Sequence, residues 1–466
     1  MNVTSQVRDG AADDATRPPS ATPASSTQST SSTPGRLRSI IGGSAGNVIE
    51  WYDFLAYSIF SIYFSKAFFP GGNMTVQLLN AAAIASVGYV VRPLGSWLIG
   101  TLADRYGRRL ALSLSVAMMS AGSLIIALTP TYATIGIAAP AILVFARLLQ
   151  GFSMGGEAGT SATYLSEMAP PGRRGFFVGF VQVTVVMGQL LALGLMLLLQ
   201  RALLTPEQLE AWGWRIPFFI GGLLAVFAMY LRRGIAETDS FVKHGHGSHS
   251  DKRSGESLLK VLLRYRREVI WSVGISVGGT VAFYTFTIYL QKYMVNTSGF
   301  SRDQATLITT IALLIYMVFQ PLYGLLSDVI GRRKVMMIFG FGGTFLTIPI
   351  MHTLGTTSST STAFLLNLAA LGILSGFSSI HWLVKSELFP AKVRALGVGL
   401  PFAIVTAVMG GTTEFVALRL KAWGHEPWFF YYASLCAAIS LVTYIVMPET
   451  RHSSTIDREA AASHPV

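Results

Sequence analysis

The chain has 466 residues, of which 51% are hydrophobic and only 12% are charged, with a formal net charge of +12. Soluble domains carry about 25% charged residues, so this composition argues against a soluble protein and indicates a membrane protein. The Lys and Arg residues collect in alternate polar loops, which follows the positive-inside pattern and argues against a nucleic-acid partner.

Residues 1–38 are rich in Ser, Thr, Pro and Ala and lack an apolar segment, which predicts a disordered cytoplasmic tail without a cleavable signal. About twelve apolar stretches follow, each long enough to cross ~30 Å of hydrocarbon. The predicted spans are 39–65, 78–104, 108–129, 139–166, 174–201 and 214–232, followed by 267–295, 303–327, 333–353, 361–387, 393–420 and 427–447.

A polar, basic stretch separates the sixth predicted span from the seventh. The predicted organisation is an N-terminal six-helix bundle over 39–232, a cytoplasmic linker over 233–266, a C-terminal six-helix bundle over 267–447 and a cytoplasmic tail over 448–466. The positive-inside pattern places both termini in the cytoplasm.

Two motifs occur once in each half of the chain. Gly100-Thr-Leu-Ala-Asp-Arg-Tyr-Gly-Arg-Arg109 recurs as Gly324-Leu-Leu-Ser-Asp-Val-Ile-Gly-Arg-Arg333, at an offset of 224 residues (324 − 100). Ser166-Glu-Met-Ala-Pro-Pro-Gly-Arg-Arg174 is matched by Ser386-Glu-Leu-Phe-Pro-Ala-Lys-Val-Arg394, whose glutamates are 220 residues apart (387 − 167). Two landmarks at nearly one offset indicate a duplicated six-span unit, and such membrane proteins usually transport a solute.

These motifs resemble those of the major facilitator superfamily. The repeated Asp-x-x-Gly-Arg-Arg turn looks like its signature, and Arg147-Leu-Leu-Gln-Gly151 resembles its R-x-x-Q-G motif. Gly46-Asn-Val-Ile-Glu-Trp-Tyr-Asp-Phe54 is similar to the first span of the metabolite–proton symporter family. Three further runs look like the alpha-ketoglutarate permeases within that family: Gly155 to Tyr164, Phe283 to Tyr293 and Val393 to Gly399.

The resemblance implies an all-α polytopic membrane protein with the major facilitator fold, in which twelve transmembrane helices form two six-helix bundles around a central cavity. It implies secondary active transport by alternating access in a bacterial-type inner membrane. The expected activity is proton-coupled symport of a small dicarboxylate, first alpha-ketoglutarate, with citrate, shikimate or an osmolyte such as betaine or proline as alternatives. The expected partners are the organic acid, protons and the lipid bilayer, and the expected working unit is a monomer.

The spans carry no motif of an enzyme or of a metal site, so we expect no catalytic residue, no metal and no cofactor. Two positions depart from the resembling permeases and bear on what the cavity accepts. His381-Trp382 is bulkier than the matching residues, and the surroundings of Val181-Gln182 differ.

Arg92 is the sharpest candidate for substrate binding. It precedes Asp104 by twelve residues, which places it about 18 Å into the membrane. A guanidinium at that depth is costly unless it faces water, a carboxylate or a substrate, and its planar fork fits a carboxylate. The resemblance also implies a substrate-recognition role; the alternative is a permanent salt bridge to Glu50 or Glu157.

Four residues are candidates for proton coupling. Glu50 and Asp53 share a helical face, and two nearby carboxylates in a low dielectric disfavour double ionisation, so one of them can hold a proton. Glu157, near the depth of Arg92, is expected to carry the proton or to pair with Arg92. The resemblance ties Arg147 to proton transfer or cavity charge. Structural bonding between helices is the alternative for each residue.

Further polar groups lie within the predicted spans and can hydrogen-bond a dicarboxylate, although helix packing is the alternative for each: Tyr52, Tyr57, Gln182, Gln189 and Tyr284. Lys292 is expected to snorkel at the outer end of span seven, His381 to be satisfied locally, and Glu414 has no assigned role. The second half is expected to hold no charged set equivalent to that of the first.

The resemblance makes Asp104 and Asp328 gating residues at the cytoplasmic ends of two spans. Each aspartate can face the positive N-terminal end of a helix from the other half. The arginines that follow them, Arg108 and Arg332, can reach Glu167 and Glu387 on the same surface. Such contacts would close the inner face; the alternative is simple anchoring of a loop.

Overall fold

The computed structural model describes residues 33–106, 108–154, 163, 165–167, 169–170, 172–232, 263–391 and 393–463. Within these ranges the chain forms helices joined by turns and no strand. Contacts between Cα atoms group the described residues from Gly42 onward into one compact unit. The predicted tail 1–38 and linker 233–266 lie almost wholly outside the described residues.

Twelve helical spans occur among the described residues, which confirms the predicted number, and we number them 1 to 12. Spans 1–6 are Thr33–Phe68, Met74–Val90 continued by Arg92–Tyr106, Arg108–Leu128, Ala138–Ser153, Arg174–Leu203 and Ile216–Arg232. Spans 7–12 are Arg266–Asn296, Arg302–Ile330, Arg332–Thr356, Thr360–Leu388, Arg394–Ala422 and Pro427–Val446. We call residues 42–232 the first half and residues 263–463 the second half.

Short helices connect or follow the spans: Tyr132–Ile135, Pro206–Ala211, Gly213–Arg215, Thr450–Ser453 and Thr455–Ser463. The last two fall in the predicted C-terminal tail. Among the described helices, eight are both long and apolar enough to cross a membrane by length and composition.

Local sequence accounts for the ends of several spans. Span 8 begins with a capping box, in which Ser301 and Gln304 bond each other's backbone N–H groups. Asn73 caps the N-terminus of span 2, and its side chain accepts a hydrogen bond from the Val76 N–H at 3.1 Å. The turn between spans 8 and 9 places Gly331 at φ 103°, which explains the glycine of the repeated motif.

The two halves pack through span 2 against span 11 and through span 5 against span 8. Two glycines face each other where span 5 crosses span 8: a Cβ added to Gly324 would lie 2.2 Å from the carbonyl oxygen of Gly175. Because both positions are glycine, the two backbones touch at the end of this crossing that carries the repeated motif.

Candidate functional site

Asp328 organises the end of the interface between the halves that carries the repeated motifs. We call the contacts at this end the cytoplasmic cluster, after the side of the membrane on which the sequence predicts it. Its two carboxylate oxygens accept the backbone N–H groups of Gly175 and Phe176, each at 2.9 Å, at the start of span 5. The same carboxylate bonds Arg332 at 2.6 Å within its own half. A negative charge at a helix N-terminus is stabilising, so Asp328 ties the second half to the first.

The two glutamates of the repeated motif also lie in this cytoplasmic cluster, but they differ in partner. Glu387 is 3.6 Å from Arg332 and accepts from Thr450 at 2.5 Å, so it stays within the second half. Glu167 crosses to the second half, where it pairs with Arg394 at 2.5 Å. The sequence had suggested the arginines of the Asp-x-x-Gly-Arg-Arg turn as partners; for Glu167 the described partner is the arginine of the other motif.

The C-terminal helix Thr455–Ser463 joins the same cluster. Asp457 pairs with Arg174 of the first half. Glu459 pairs with Arg394 at 2.6 Å and accepts the backbone N–H of Ala391 at 2.8 Å. This helix therefore contacts both halves on the cytoplasmic face.

The opposite end of the interface is closed by two ion pairs between the halves. Arg201, at the end of span 5, donates two hydrogen bonds to Asp303, at 2.6 and 2.8 Å. In the second pair the arginine comes from the other half: Arg302 of the second half pairs with Glu210 of the first half. We call these two pairs the outer latch. They are not among the predicted contacts, because the partners lie 92 and 102 residues apart in helices that share no motif.

Asp53 is the centre of a buried polar network inside the first half. Ser123 donates to one carboxylate oxygen, and Gln150 Nε2 lies 3.4 Å from the other. Gln150 also accepts from Arg147 at 2.8 Å, so the predicted pair Asp53 and Arg147 is joined through a glutamine. Gln150 is not among the predicted site residues, although it is the glutamine of the R-x-x-Q-G motif.

Arg92 lies among aromatic rings near the interface between the halves. Its guanidinium is 5.5 to 5.8 Å from the ring centroids of Trp51, Phe54 and Tyr89, and its Nη1 has no hydrogen-bond partner in the structure. The Tyr89 ring meets the Tyr284 ring of the second half edge to face at 5.2 Å. A buried guanidinium with an unsatisfied donor is suited to receive a carboxylate.

The other predicted substrate ligands fall into two groups. Tyr52 donates to the Pro217 carbonyl at 2.8 Å and Gln189 donates to the Thr287 carbonyl, so in this conformation both serve helix packing. Tyr57, Gln182 and Tyr284 are buried, and the Tyr57 hydroxyl has no hydrogen-bond partner. Tyr57 packs under Arg147, whose guanidinium is 4.7 Å from its ring centroid.

Two expectations about charge in the second half are wrong. Lys292 does not snorkel: its side chain is 1% exposed and forms a salt bridge with Glu414, which lies across from it in span 11. Burying an ammonium without a partner is costly, and the acid of span 11 removes that cost. The second half also buries Lys385, so it does contain charged residues inside the spans.

Glu414 borders a small cavity between the halves, together with Ser58, Tyr89 and Tyr284. The cavity holds about one water molecule's volume, ~10 Å³. With the cytoplasmic cluster and the outer latch both formed, the described residues close the interface at both ends.

Some predicted residues cannot be placed in this network. Glu157 lies outside the described residues. Asp104 and Arg108 lie on the helices Arg92–Tyr106 and Arg108–Leu128, but their side chains are not described. Glu50 is buried on span 1, three residues before Asp53.

The family of sugar (and other) transporters matches residues 40–255 and 232–461. The chain belongs to this family. Its fold is similar to that of a D-xylose-proton symporter, with a TM-score of 0.70 and 18% identity over 89% of this chain and 98% of that one. A solved major facilitator superfamily proton:xylose symporter matches with a TM-score of 0.68, 18% identity and coverage of 91% and 98%. The major facilitator fold predicted from the motifs is confirmed.

Curated relatives of this transporter carry organic acids and osmolytes. It is 47% identical to the alpha-ketoglutarate permease of Escherichia coli (strain K12), over 91% of this chain and 96% of that protein. It is 32% identical to the proline/betaine transporter of Salmonella typhimurium (strain LT2), over 92% and 87%, and 32% identical to the citrate-proton symporter of Salmonella typhi, over 86% and 92%. The chain is therefore a multi-pass membrane transporter and not an enzyme.

Proposed function

We propose that this transporter carries a small dicarboxylate, alpha-ketoglutarate first, together with protons across the bacterial inner membrane, with both termini in the cytoplasm. The substrate assignment rests on the 47% identity to a relative named for alpha-ketoglutarate, which extends over nearly the whole of both chains. Arg92 supports it: a buried guanidinium with a free donor beside the interface suits a carboxylate.

Proton coupling fits the buried acid of the first half. Asp53 is fully buried, and the side chains that hydrogen-bond its carboxylate, Ser123 and Gln150, are neutral. A carboxylate in such a place can be neutralised by a proton, and Gln150 connects that change to Arg147. An inside-negative potential opposes entry of an anion by ~2.3 kcal/mol per charge per 100 mV, so co-transported protons make uptake favourable.

The contacts at the two ends of the interface support a mechanism of alternating access. The Asp328 contact with span 5 and the Glu167 pair with Arg394 would break when the cytoplasmic side opens, and the outer latch would break when the other side opens. Substrate and proton bound between them would stay in place while the halves rock.

Uptake into proteoliposomes tests this function. We expect labelled alpha-ketoglutarate to accumulate when an inward proton gradient is imposed, and an unlabelled panel to rank alpha-ketoglutarate and succinate above citrate, shikimate, betaine and proline as competitors. Accumulation that ignores the gradient would contradict symport. Competition by betaine or proline but not by succinate would replace the dicarboxylate with a zwitterionic osmolyte.

A further inference from the structure

Lys385 is a fully buried cation that the proposed function has not used. Its ammonium lies in span 10 and donates to the Ser276 hydroxyl of span 7 at 3.1 Å. Two aromatic rings flank it, with centroids 4.2 Å away at Phe402 and 4.9 Å away at Trp382. None of the contacts that the structure gives for this ammonium is with a carboxylate.

The other buried lysine and arginine side chains of the described second half all have acidic partners. Lys292 pairs with Glu414, Arg332 with Asp328, and Arg394 with Glu167 and Glu459. Lys385 is the exception, held by one neutral hydroxyl and two ring faces. Rings stabilise a desolvated ammonium but do not neutralise it, so the site has the charge of an anion-binding site.

The backbone around Lys385 is interrupted. Span 10 is built of two helices, Thr360–Ser378 and His381–Leu388, and Lys385 lies on the second. Discontinuous membrane helices are typical of substrate sites in transporters, because their ends and side chains face a cavity rather than lipid. The segment His381–Leu388 packs against span 5 of the first half, so it lies on the surface that separates when the halves move.

Span 7 relates Lys385 to Arg92. Ser276, the partner of Lys385, and Tyr284, which packs on Tyr89 beside Arg92, are both on this span. They are eight residues apart, which is about two turns or ~12 Å along the helix. The two cations therefore approach the interface from opposite halves, with Lys385 nearer the cytoplasm.

We infer that Lys385 is a second carboxylate-binding residue, which receives one end of a dicarboxylate while Arg92 holds the other. This assignment rests on the proposed function. A dicarboxylate gripped by one cation from each half would bridge the two halves, whereas a monocarboxylate of the same length would contact Arg92 alone.

The test compares two five-carbon acids that differ only in the far carboxylate, alpha-ketoglutarate and 2-oxovalerate. In proteoliposomes, the KM for alpha-ketoglutarate and the inhibition constant of 2-oxovalerate are measured for the wild type and for Lys385→Gln. We expect the KM to rise about tenfold or more, as for loss of a charged hydrogen bond, while the inhibition constant of 2-oxovalerate changes less than about threefold.

Two further variants serve as controls. Ser276→Ala removes the hydroxyl partner but leaves the ammonium, so the preference for the dicarboxylate should stay within about threefold of wild type. Lys385→Arg keeps the charge and should fold even where Lys385→Gln does not; its fork geometry should change the KM for alpha-ketoglutarate and leave 2-oxovalerate unaffected.

Equal weakening of both acids in Lys385→Gln, or no change in either, would overturn the assignment and make Lys385 a packing residue. If Lys385→Gln does not fold, an unaltered preference in Lys385→Arg would overturn it instead. A wild-type protein that does not transport alpha-ketoglutarate would refute the proposed function. A wild type that transports it while its variants keep the same preference would refute the Lys385 assignment alone.

Discussion

Arg92 is a buried arginine whose guanidinium has an unsatisfied hydrogen-bond donor. Rings of Trp51, Phe54 and Tyr89 surround it, and one of its nitrogens is buried without a hydrogen-bond partner. A structure that served stability alone would satisfy this donor, because an unmet buried donor costs about 1–3 kcal/mol. We therefore propose that the carboxylate of a substrate meets this nitrogen.

Replacing Arg92 with lysine separates charge from geometry. Lysine keeps the positive charge but loses the bidentate fork, so we expect Arg92→Lys to raise the KM for alpha-ketoglutarate about tenfold with little change in maximal rate. Initial uptake rates over a range of substrate concentrations measure both quantities. An unchanged KM would show that Arg92 is structural.

Replacing Asp53 with asparagine tests the proton site. The asparagine amide would keep a polar group between Ser123 and Gln150 but could not exchange a proton. We expect Asp53→Asn to lose proton-driven accumulation while keeping exchange of internal for external substrate, because exchange needs no net proton movement. Gradient-driven uptake and counterflow, measured on one preparation, give the two readouts. Accumulation at the wild-type level would move the coupling role to another carboxylate.

At the scale of helices, the crossing of spans 5 and 8 explains why the repeated motif begins with glycine. Gly324 and Gly175 let the two backbones touch, and that contact brings the Asp328 carboxylate within 2.9 Å of two N–H groups at the start of span 5. The glycine and the aspartate of the motif therefore act together: the glycine allows the two helices to approach, and the aspartate then reaches the N–H groups of span 5.

A methyl group at this crossing should separate the helices. In Gly324→Ala the added carbon would lie 2.2 Å from the Gly175 carbonyl oxygen, and overpacking of this kind costs about 1–3 kcal/mol. We expect a lower melting temperature in detergent and slower transport. Gly194→Ala is the matched control. Gly194 lies in span 5, like Gly175, and a Cβ added there would have no atom within 4 Å. Equal effects of the two substitutions would contradict the proposed crossing.

At the scale of the whole molecule, the two halves are held at both ends by different chemistry. The cytoplasmic cluster uses a helix N-terminus, buried arginines and the C-terminal helix Thr455–Ser463, whereas the outer latch uses exposed ion pairs. Arg201 and Asp303 have side chains 49% and 41% exposed, so solvent screens their attraction and the pair holds the halves together only weakly. The outer side is therefore expected to open more readily than the cytoplasmic side.

Reversing the charges of one outer pair tests that asymmetry. The test uses the variant Ser58→Cys in a protein that also carries Cys436→Ser, so that the reagent reacts at position 58, which lines the cavity. The rate at which a thiol reagent alkylates this cysteine measures how readily the cavity opens. We expect Arg201→Asp to raise this rate a few-fold, because two acidic side chains then face each other across the outer latch, and Arg201→Asp with Asp303→Arg to restore the wild-type rate. A rate that the single variant leaves unchanged, or that the double variant does not restore, would remove the outer latch from the gate.

The sequence by itself determined the membrane class, the twelve spans, the duplication and the family, because hydrophobic length and repeated turns are properties of short segments. It also placed Asp328 at the end of span 8, opposite a helix N-terminus. Only the tertiary structure decided which polar and charged groups meet: Lys292 with Glu414, Glu167 with Arg394, Asp53 with Gln150, and Lys385 with no described acid. Each of these outcomes depends on which faces of distant helices are pressed together, and helical periodicity alone does not record that.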